Sequence, residues 1–244
     1  MIVVNRYKAS KSGRALARYL GIKMIKMSGS RFRGKSRDTI INWGNGKGNV
    51  GGARQINKLQ NVQLASNKLK TLEALQARGV PIPHYITTRV RTYSEEEDIP
   101  TFMARTTLHG HSGKGIVFGT LEELPDAPLY VEYIDKVAEY RAIVVGGKVV
   151  DFKKKKRKND YEGDYGEHVW NHSSGYIFAR NDFVVPPLCG QLGIDAVAAL
   201  GLDFGAVDII EDSDGKLYVL EVNTAFGIEG STLELVGDAI KELL

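Results

Sequence analysis

Two alternating apolar runs near the C-terminus flank the dipeptide Asp214-Gly215, a two-residue signal for a tight β-hairpin. With this dipeptide as the turn, counting back along both strands places Asp208 opposite Glu221. Directly paired side chains lie about 5 Å apart. Asn223 shares the face of Glu221, because side chains on a strand repeat every two residues. The spacing therefore predicts that two carboxylates and an amide oxygen converge on one small volume.

This group of oxygens has two interpretations. Oxygen ligands alone favour Mg²⁺ or Mn²⁺ over softer metals, which predicts a divalent metal site. The alternative is a pair of solvated carboxylates on the outer face of an isolated hairpin. Features elsewhere in the chain bear on this choice.

Composition limits the broad class of protein. Hydrophobic residues make up 43% of the 244 residues and charged residues 25%, as in ordinary globular proteins. No apolar run is as long as a membrane span, and the first ten residues lack a secretory apolar segment. Cys189 is the only cysteine, which excludes an internal disulfide. We therefore expect a cytoplasmic protein with no membrane partner.

Charge is distributed unevenly along the chain. Residues 1–72 contain 16 Lys and Arg but one acidic residue, whereas residues 73–244 contain 17 Lys and Arg and 28 acidic residues. A basic segment of this kind suits an anionic partner, such as nucleic acid, an acidic peptide or a polyphosphate. Docking of this segment against the acidic remainder of the same chain is the alternative.

Interleaved helix and strand patterns predict an α+β fold with subdomains meeting at a cleft. The predicted units are a small basic α/β unit (1–56) and two further segments (57–130 and 131–244). Expected strands are 1–6, 23–27, 38–43, 101–107, 116–118 and 129–134. Expected helices are 12–19, 66–78 with Ser66 as N-cap, 187–200 and 232–244. Expected loops are the flexible glycine-rich stretch 44–48 and the polar segment 157–176.

A second hairpin is predicted to turn at Gly146-Gly147. This turn pairs Glu139 with Lys154, and Arg141 shares their face. A carboxylate among cations suits a nucleotide, since it accepts from ribose hydroxyls while the cations donate to phosphates. A solvated basic edge over residues 153–158 is the alternative.

The segment 109–115 contains three glycines between two expected strands. Backbone amides of such a loop can close over an anion, with donors added by Ser112 and Lys114. A plain hairpin loop is the alternative.

Together these features resemble the ATP-grasp ligases, in the branch with D-alanine–D-alanine ligases and the enzymes that add glutamate to ribosomal protein. The resemblance covers residues 57–236 and is strongest in GLDFGAVDII and YVLEVNTAFGIEGSTLE. Phe226 stands where proline is common in the family. The resemblance implies an ATP-grasp fold, in which two α+β subdomains clamp ATP.

The resemblance also implies roles for individual residues. Two Mg²⁺ ions, which Mn²⁺ can replace, would be held by Asp208, Glu221 and Asn223. ATP would be bound by Lys68, Arg105, Ser112, Gly113, Lys114, Gly115, Glu132, Tyr133, Ile134, Lys136, Glu139 and Lys154. Phosphoryl transfer would depend on Arg141 and Lys154, and the substrate side would include Asn171, His172 and Gly230. Within the ATP set, Glu132 would accept from the adenine amino group, and Tyr133 and Ile134 would offer backbone contacts.

The activity implied is an ADP-forming ligase that joins a carboxylate to an amine through an acyl phosphate. Its partners would be those two substrates, with a peptide or anionic macromolecule docking on residues 1–72. Many members of the family pair into dimers, so a homodimer and a monomer are both open. A kinase on the same nucleotide site is one alternative. A nucleic-acid-binding module with a vestigial ATP site is the other.

Overall fold

The computed structural model describes residues 1–5, 10–89, 100–109, 115–163 and 168–244, which form three β-sheets and five α-helices. Two of the sheets are antiparallel and the first is parallel. This arrangement confirms the α+β class expected from the sequence. Within the described residues, none of the helices is both long and apolar enough to cross a bilayer.

The first sheet is parallel and has the strand order β2-β1-β3-β4. Its strands are β1 (Ile2–Asn5), β2 (Lys23–Lys26), β3 (Thr39–Trp43) and β4 (Arg54–Ile56). Helix α1 (Lys11–Tyr19) covers one face, where Leu16 and Val3 belong to one buried apolar cluster. Segments 27–38 and 44–53 contribute to a second cluster with residues of the opposite face. Alternation of side chains along the strands explains why both faces are apolar.

The glycine-rich loop after β3, expected to be flexible, is held by buried hydrogen bonds. The Asn45 amide donates to Asn42 Oδ1 at 2.9 Å, and Asn42 Nδ2 donates to the Asn45 carbonyl at 3.0 Å. Both side chains are fully buried. The loop therefore has a defined course from the end of β3.

Two helices follow, where one was expected. They are α2 (Leu59–Ser66) and α3 (Lys68–Gln76). Ser66 ends α2, and the N-cap of α3 is Asn67, whose side chain accepts from the Lys70 amide at 3.1 Å. The expected Ser66 cap is therefore wrong by one position. The Lys68 amide donates to the Leu108 carbonyl at 2.9 Å, which fixes the start of α3 against the second sheet.

The second sheet is antiparallel, with strand order β5-β8-β6-β7. Its strands are β5 (Tyr85–Ile86), β6 (Phe102–Arg105), β7 (Ile116–Gly119) and β8 (Leu129–Glu132). Strand β8 crosses the boundary expected at residue 130, so this sheet extends two residues into the segment assigned to the last unit. The division into independent units stays a prediction.

The third sheet is antiparallel, with strand order β11-β10-β9-β12-β13. Its strands are β9 (Lys136–Val145), β10 (Lys148–Arg157), β11 (Tyr176–Ala179), β12 (Phe204–Asp212) and β13 (Leu217–Asn223). Helix α4 (Cys189–Ala199) packs on one face, where it forms the main core with buried residues of β9, β12 and β13. Helix α5 (Ser231–Glu242) and the first sheet pack on one end of the other face. Neither α5 nor the first sheet covers the rest of that face, which lines a cleft.

A bulge in β10 changes the expected pairing of the hairpin β9–β10. Val149 pairs with Val144, but the register shifts before Asp151, so that Lys153 lies opposite Arg141. Because a shift of one residue exchanges the two faces of a strand, Lys154 lies opposite Tyr140 instead of Glu139. The expected Glu139–Lys154 pair is therefore wrong.

Cys189 begins α4 and is fully buried. Burial raises the pKa of its thiol to about 12. Because the thiolate is the reactive form, we expect a disulfide reagent such as DTNB to leave the native protein unmodified at about pH 8 and to label it fully in urea. Rapid labelling of the native protein would contradict this placement of the thiol.

Candidate active site

A cleft of about 860 Å³ lies between the second and third sheets. Met103 and Arg105 line it from β6, and the exposed part of the third sheet lines it from the other side. Gly44, in the loop after β3, also lines it. Many of the residues that the sequence predicts for the nucleotide, metal and substrate sites line this cleft. They are Lys68, Arg105, Lys136, Glu139, Arg141, Asn171, His172, Asp208, Glu221 and Asn223.

The expected meeting of Asp208 and Glu221 is confirmed, since the two residues are paired across β12 and β13. Asn223 Nδ2 lies 2.9 Å from Glu221 Oε1 and 3.4 Å from Asp208 Oδ2. The turn holds three residues instead of two, because Glu211 pairs with Leu217. A bulge at Leu220 then restores the expected register.

Each carboxylate of this set is neutralised by a cation. Arg141 donates from Nε and Nη2 to the two oxygens of Asp208, at 2.6 and 2.7 Å. Lys68 Nζ contacts Glu221 Oε2 from the start of α3. The side chain of Asp208 is 6% exposed and that of Lys68 13%. Buried charges of this kind are tolerated only when paired.

The pKa values at the site reflect burial and these pairs. Burial raises the pKa of Asp208, and the Arg141 guanidinium opposes that shift. Burial would also raise the pKa of Glu221, but the Lys68 ammonium and the Asn223 amide outweigh it and hold this pKa far below its usual range. Burial lowers the pKa of Arg105 and of Lys136, although nearby carboxylates oppose the effect.

The donor set of Asp208, Glu221 and Asn223 fits a hard divalent cation. Mg²⁺ is commonly held by one or two carboxylates together with substrate phosphates. In the part of the chain that the structure describes, no three His, Cys, Asp or Glu side chains form a metal cluster. The amide oxygen of Asn223 would be the third protein ligand, and other ligands would come from a substrate or water.

A second charged group lies beside the first on β9 and β10. Lys136 Nζ donates to Glu139 Oε2 at 2.9 Å, and Lys155 Nζ contacts Glu139 Oε1. Lys154 lies on the other side of the sheet, where its Nζ is 5.4 Å from the centroid of the Tyr140 ring. Lys155 therefore takes the place expected for Lys154. Sequence reasoning missed Lys155 because nothing in the hairpin pattern signals the bulge.

Aromatic residues of β11 and the preceding segment form one wall of the cleft. Trp170 stacks on Tyr176 with ring centroids 5.1 Å apart, and Lys136 Nζ lies 4.8 Å from the Trp170 ring. Phe178 packs against Arg141, whose Cζ is 4.1 Å from the ring centroid. These aromatic residues were not anticipated. The alternation of Tyr176 and Phe178 along YIFA is the only local signal of a shared face.

Other expected residues lie elsewhere. The Tyr133 amide donates to the Thr101 carbonyl at 2.8 Å, so it is not free to contact a base. The Gly115 carbonyl accepts from the Thr106 amide at 2.9 Å and closes the hairpin β6–β7. The expected residues absent from the cleft lining are Gly115, Glu132, Tyr133, Ile134, Lys154 and Gly230. Outside the described residues lie Ser112, Gly113 and Lys114.

The loop after β13 is anchored to the first sheet by aromatic packing. Trp43 packs against Phe226 with a centroid separation of 4.8 Å and stacks on Phe204 at 5.3 Å. Phe226, at the position where the resemblance suggested proline, is 3% exposed. A Cβ on Gly44 would lie 2.5 Å from the Ala225 Cβ, so glycine permits the close approach of the two segments. The N-terminal unit thereby positions one end of the cleft.

Comparison with protein families identifies the fold. Residues 53–244 match the RimK-like ATP-grasp domain. The chain belongs to this family. The match confirms the resemblance inferred from the two C-terminal motifs, and with it the ATP-grasp fold.

Individual relatives agree with this family. A probable alpha-L-glutamate ligase of Haemophilus ducreyi is 26% identical over 212 residues, which are 78% of this chain and 65% of that protein. The chain thus spans just under two thirds of that relative. The ATP-grasp ligase PsnB, solved with a minimal precursor, aligns with a TM-score of 0.70 at 12% identity, covering 100% of this chain and 99% of PsnB. D-alanine–D-alanine ligase from Bacillus anthracis aligns with a TM-score of 0.64 at 16% identity, covering 99% and 91%. These structures share the ATP-grasp fold with this chain.

Proposed function

We propose that this protein is an ATP-dependent, ADP-forming ligase that joins a carboxylate to an amine and uses Mg²⁺, which Mn²⁺ can replace. The observation that carries the proposal is the composition of the cleft. It contains the oxygen set of Asp208, Glu221 and Asn223 beside five cationic side chains. Those cations are Lys68, Arg105, Lys136, Arg141 and Lys155. Such a site can neutralise a triphosphate while leaving oxygen ligands for divalent ions.

In the proposed reaction, a substrate carboxylate oxygen attacks the γ-phosphorus of ATP. A new O–P bond forms as the bond to ADP breaks, which gives an acyl phosphate and ADP. An amine then attacks the acyl carbon, phosphate leaves with the electron pair of the C–O bond, and the amine loses a proton. Bound Mg²⁺ supplies neutralisation of charge on the phosphate oxygens.

The residues of the chain contribute positioning and charge. Arg141 and Lys155 hold the phosphoryl group in line with the attacking oxygen, and Lys68 and Arg105 bind the other phosphates. Glu139 accepts from the ribose hydroxyls, as proposed from the resemblance. The 168–172 segment, with Asn171 and His172, bounds the substrate side of the cleft.

Ligand binding requires the two ion pairs to separate. Arg141 and Lys68 contact the carboxylates of Asp208 and Glu221, the residues that would hold a metal ion. We propose that the two cations turn to the phosphates when ATP binds, so that Asp208 and Glu221 would be free to hold Mg²⁺, which would supply charge neutralisation there. The total charge in the cleft is then compensated before and after ATP binds, which avoids an unpaired buried charge.

The names of the relatives guide the choice of substrates. One is a probable alpha-L-glutamate ligase, and PsnB was solved with a precursor. We propose that an amino acid or peptide supplies the carboxylate or the amine. A screen of ADP release against amino acids and peptides, singly and in pairs, would find the two co-substrates.

An isotope experiment tests the acyl phosphate. With ¹⁸O in both oxygens of the substrate carboxylate, one label should appear in the released inorganic phosphate. Under the kinase alternative the phosphoryl group stays on the substrate and no inorganic phosphate is released. Unlabelled inorganic phosphate would reject the acyl-phosphate route.

Two adjacent lysines provide a matched test of the bulge in β10. Lys155→Met should weaken Mg²⁺–ATP binding by about 10- to 100-fold, because the phosphates lose a buried cation. Lys154→Met should change binding by less than about 3-fold, because Lys154 is half-buried on the other face of the sheet and a charge at a distance contributes little. Titration calorimetry would measure both. The opposite ranking would show that Lys154 reaches the nucleotide.

A further inference from the structure

The segment 27–38, which we call the basic loop, presents four cationic side chains outward. Arg31, Arg33, Lys35 and Arg37 are exposed, whereas the intervening Phe32 is half-buried and Gly34 is buried. The alternation places the cations on the outer surface of the segment that packs on the first sheet. Ser36 is exposed as well, and it lies with Arg37 in a turn, in which the Asp38 amide donates to the Lys35 carbonyl at 2.9 Å.

The basic loop is held in a defined conformation. Phe32 packs against the buried cluster that contains Val4 and Ile40. The Gly34 amide donates to the Val50 carbonyl at 2.9 Å, and its carbonyl accepts from the Gly52 amide at 3.0 Å. A Cβ on Gly34 would lie 2.6 Å from the Ala53 Cβ, so only glycine allows this approach. The four cations are therefore displayed by a framework that does not have to be ordered on binding.

The acidic part of the chain does not neutralise the basic loop. Among the described residues, none of the four cations forms an ion pair, and Asp38 accepts from the Lys35 amide instead, at 2.7 Å. Among the described ion pairs, the one that joins residues 1–72 to residues 73–244 is Lys68–Glu221, which lies in the cleft. The first sheet does pack on the acidic remainder, through apolar side chains and through Arg54, which donates to the Leu243 and Leu244 carbonyl oxygens at 2.8 and 3.1 Å. The four cations of the basic loop form no ion pair in that packing.

The chemistry of the surface favours a polypeptide over nucleic acid. Proteins that bind single-stranded nucleic acid combine cations with exposed aromatic residues that stack on bases. In the described part of this chain, no Phe, Tyr or Trp is exposed. A ligase also needs a carboxylate, which an acidic polypeptide contains and a nucleic acid does not.

We infer that the basic loop docks an acidic segment of a polypeptide that serves as a substrate of the ligase. The assignment of that polypeptide as substrate rests on the proposed function, whereas the docking itself does not need ATP. Acidic side chains at alternate positions of a docked segment would match Arg31, Arg33 and Lys35, and Arg37 would add a fourth cation at the turn. Docking remote from the reacting group would raise affinity without adding any group to the cleft.

Fluorescence anisotropy can test the inference with the 244-residue chain. The probe is a labelled peptide of about twelve residues that alternates Glu and Ser, compared with a single-stranded DNA of similar net charge. The variant R31E/R33E/R37E, which we call the array variant, reverses three of the four cations of the basic loop. R78E/K148E/K216E is its control, because it reverses three exposed cations elsewhere with the same change in net charge.

We expect the array variant to bind the peptide at least about 10-fold more weakly than the unsubstituted protein does. The affinity of the control variant for the peptide should stay within about 2-fold of that of the unsubstituted protein. An equal loss in both variants would mean that net charge alone attracts the peptide, which would overturn the inference. Tighter binding of the DNA than of the peptide would also overturn it, in favour of nucleic acid.

Titration of each variant with Mg²⁺–ATP separates this inference from the proposed function. The array variant should bind Mg²⁺–ATP as the original protein does, which also shows that it is folded. If the original protein binds the peptide but not Mg²⁺–ATP, the docking surface stands and the ligase proposal fails. If it binds Mg²⁺–ATP but not the peptide, the docking surface fails alone.

Discussion

Replacing Glu221 with Gln is expected to reduce substrate-dependent ADP release by at least about 100-fold. The substitution keeps the shape of the side chain but removes a charge that would hold a divalent ion. It also leaves Lys68 without the carboxylate that it contacts. Steady-state measurement of ADP, with the co-substrates identified by the screen, would check this result. Titration calorimetry should show in parallel that Mg²⁺ no longer strengthens ATP binding.

Glu211→Gln is the matched control for this experiment. Glu211 lies on the same hairpin, but its Oε2 accepts from the Tyr140 hydroxyl at 2.7 Å, on the face away from the cleft. Gln keeps an oxygen that can accept this hydrogen bond. Activity should therefore stay within about 3-fold of the original. If Glu221→Gln were as active as this control, the proposed metal site would be rejected.

Replacing Arg141 with Met should destabilise the protein by about 3–5 kcal/mol as well as inactivate it. Asp208 is buried, and both of its oxygens accept from Arg141. Without the guanidinium, a buried carboxylate has no cation bonded to it. Urea unfolding followed by circular dichroism, with DTNB labelling of Cys189 as a second probe, would measure the loss. Lys148→Met serves as the control, because Lys148 is exposed and its one described ion pair is a distant one, with Nζ 3.9 Å from Glu242 Oε2.

A second substitution separates the effect on stability from the effect on catalysis. Asp208→Asn in the Arg141→Met background removes the buried charge, so most of the lost stability should return. Activity should not return, since both the metal ligand and the phosphoryl-binding cation are absent. If the double variant were less stable than Arg141→Met alone, the buried charge would not be the cause of the destabilisation.

Local patterns in the sequence were sufficient for the elements that form the site. The dipeptides Asp214-Gly215 and Gly146-Gly147 each mark a hairpin that is present. Asp208 and Glu221 meet as expected because two deviations from the expected hairpin cancel each other. The turn has one more residue than expected, and the bulge at Leu220 restores the pairing. The C-terminal motifs were also sufficient to identify the family.

The two bulges depend on contacts distant in sequence. In β10, the residue after the bulge is Asp151, which accepts from Thr232 Oγ1 at 2.7 Å and from Arg180 Nε at 2.9 Å. Beside the bulge in β13, the Val219 amide donates to the Pro81 carbonyl at 2.8 Å. These partners come from α5, from the end of β11 and from the segment after α3, so the strands themselves contain no signal of the shift.

The sequence alone determined the hairpins, the convergence of Asp208 with Glu221, the basic character of the first 72 residues and the family. Each of these depends on turn residues, two-residue periodicity or residue type, which are local properties. Tertiary structure decided that Lys155 and not Lys154 enters the cleft, and that Arg141 and Lys68 neutralise the carboxylates. It decided these points because a one-residue bulge exchanges the faces of a strand, and packing between distant segments determines where the bulge occurs.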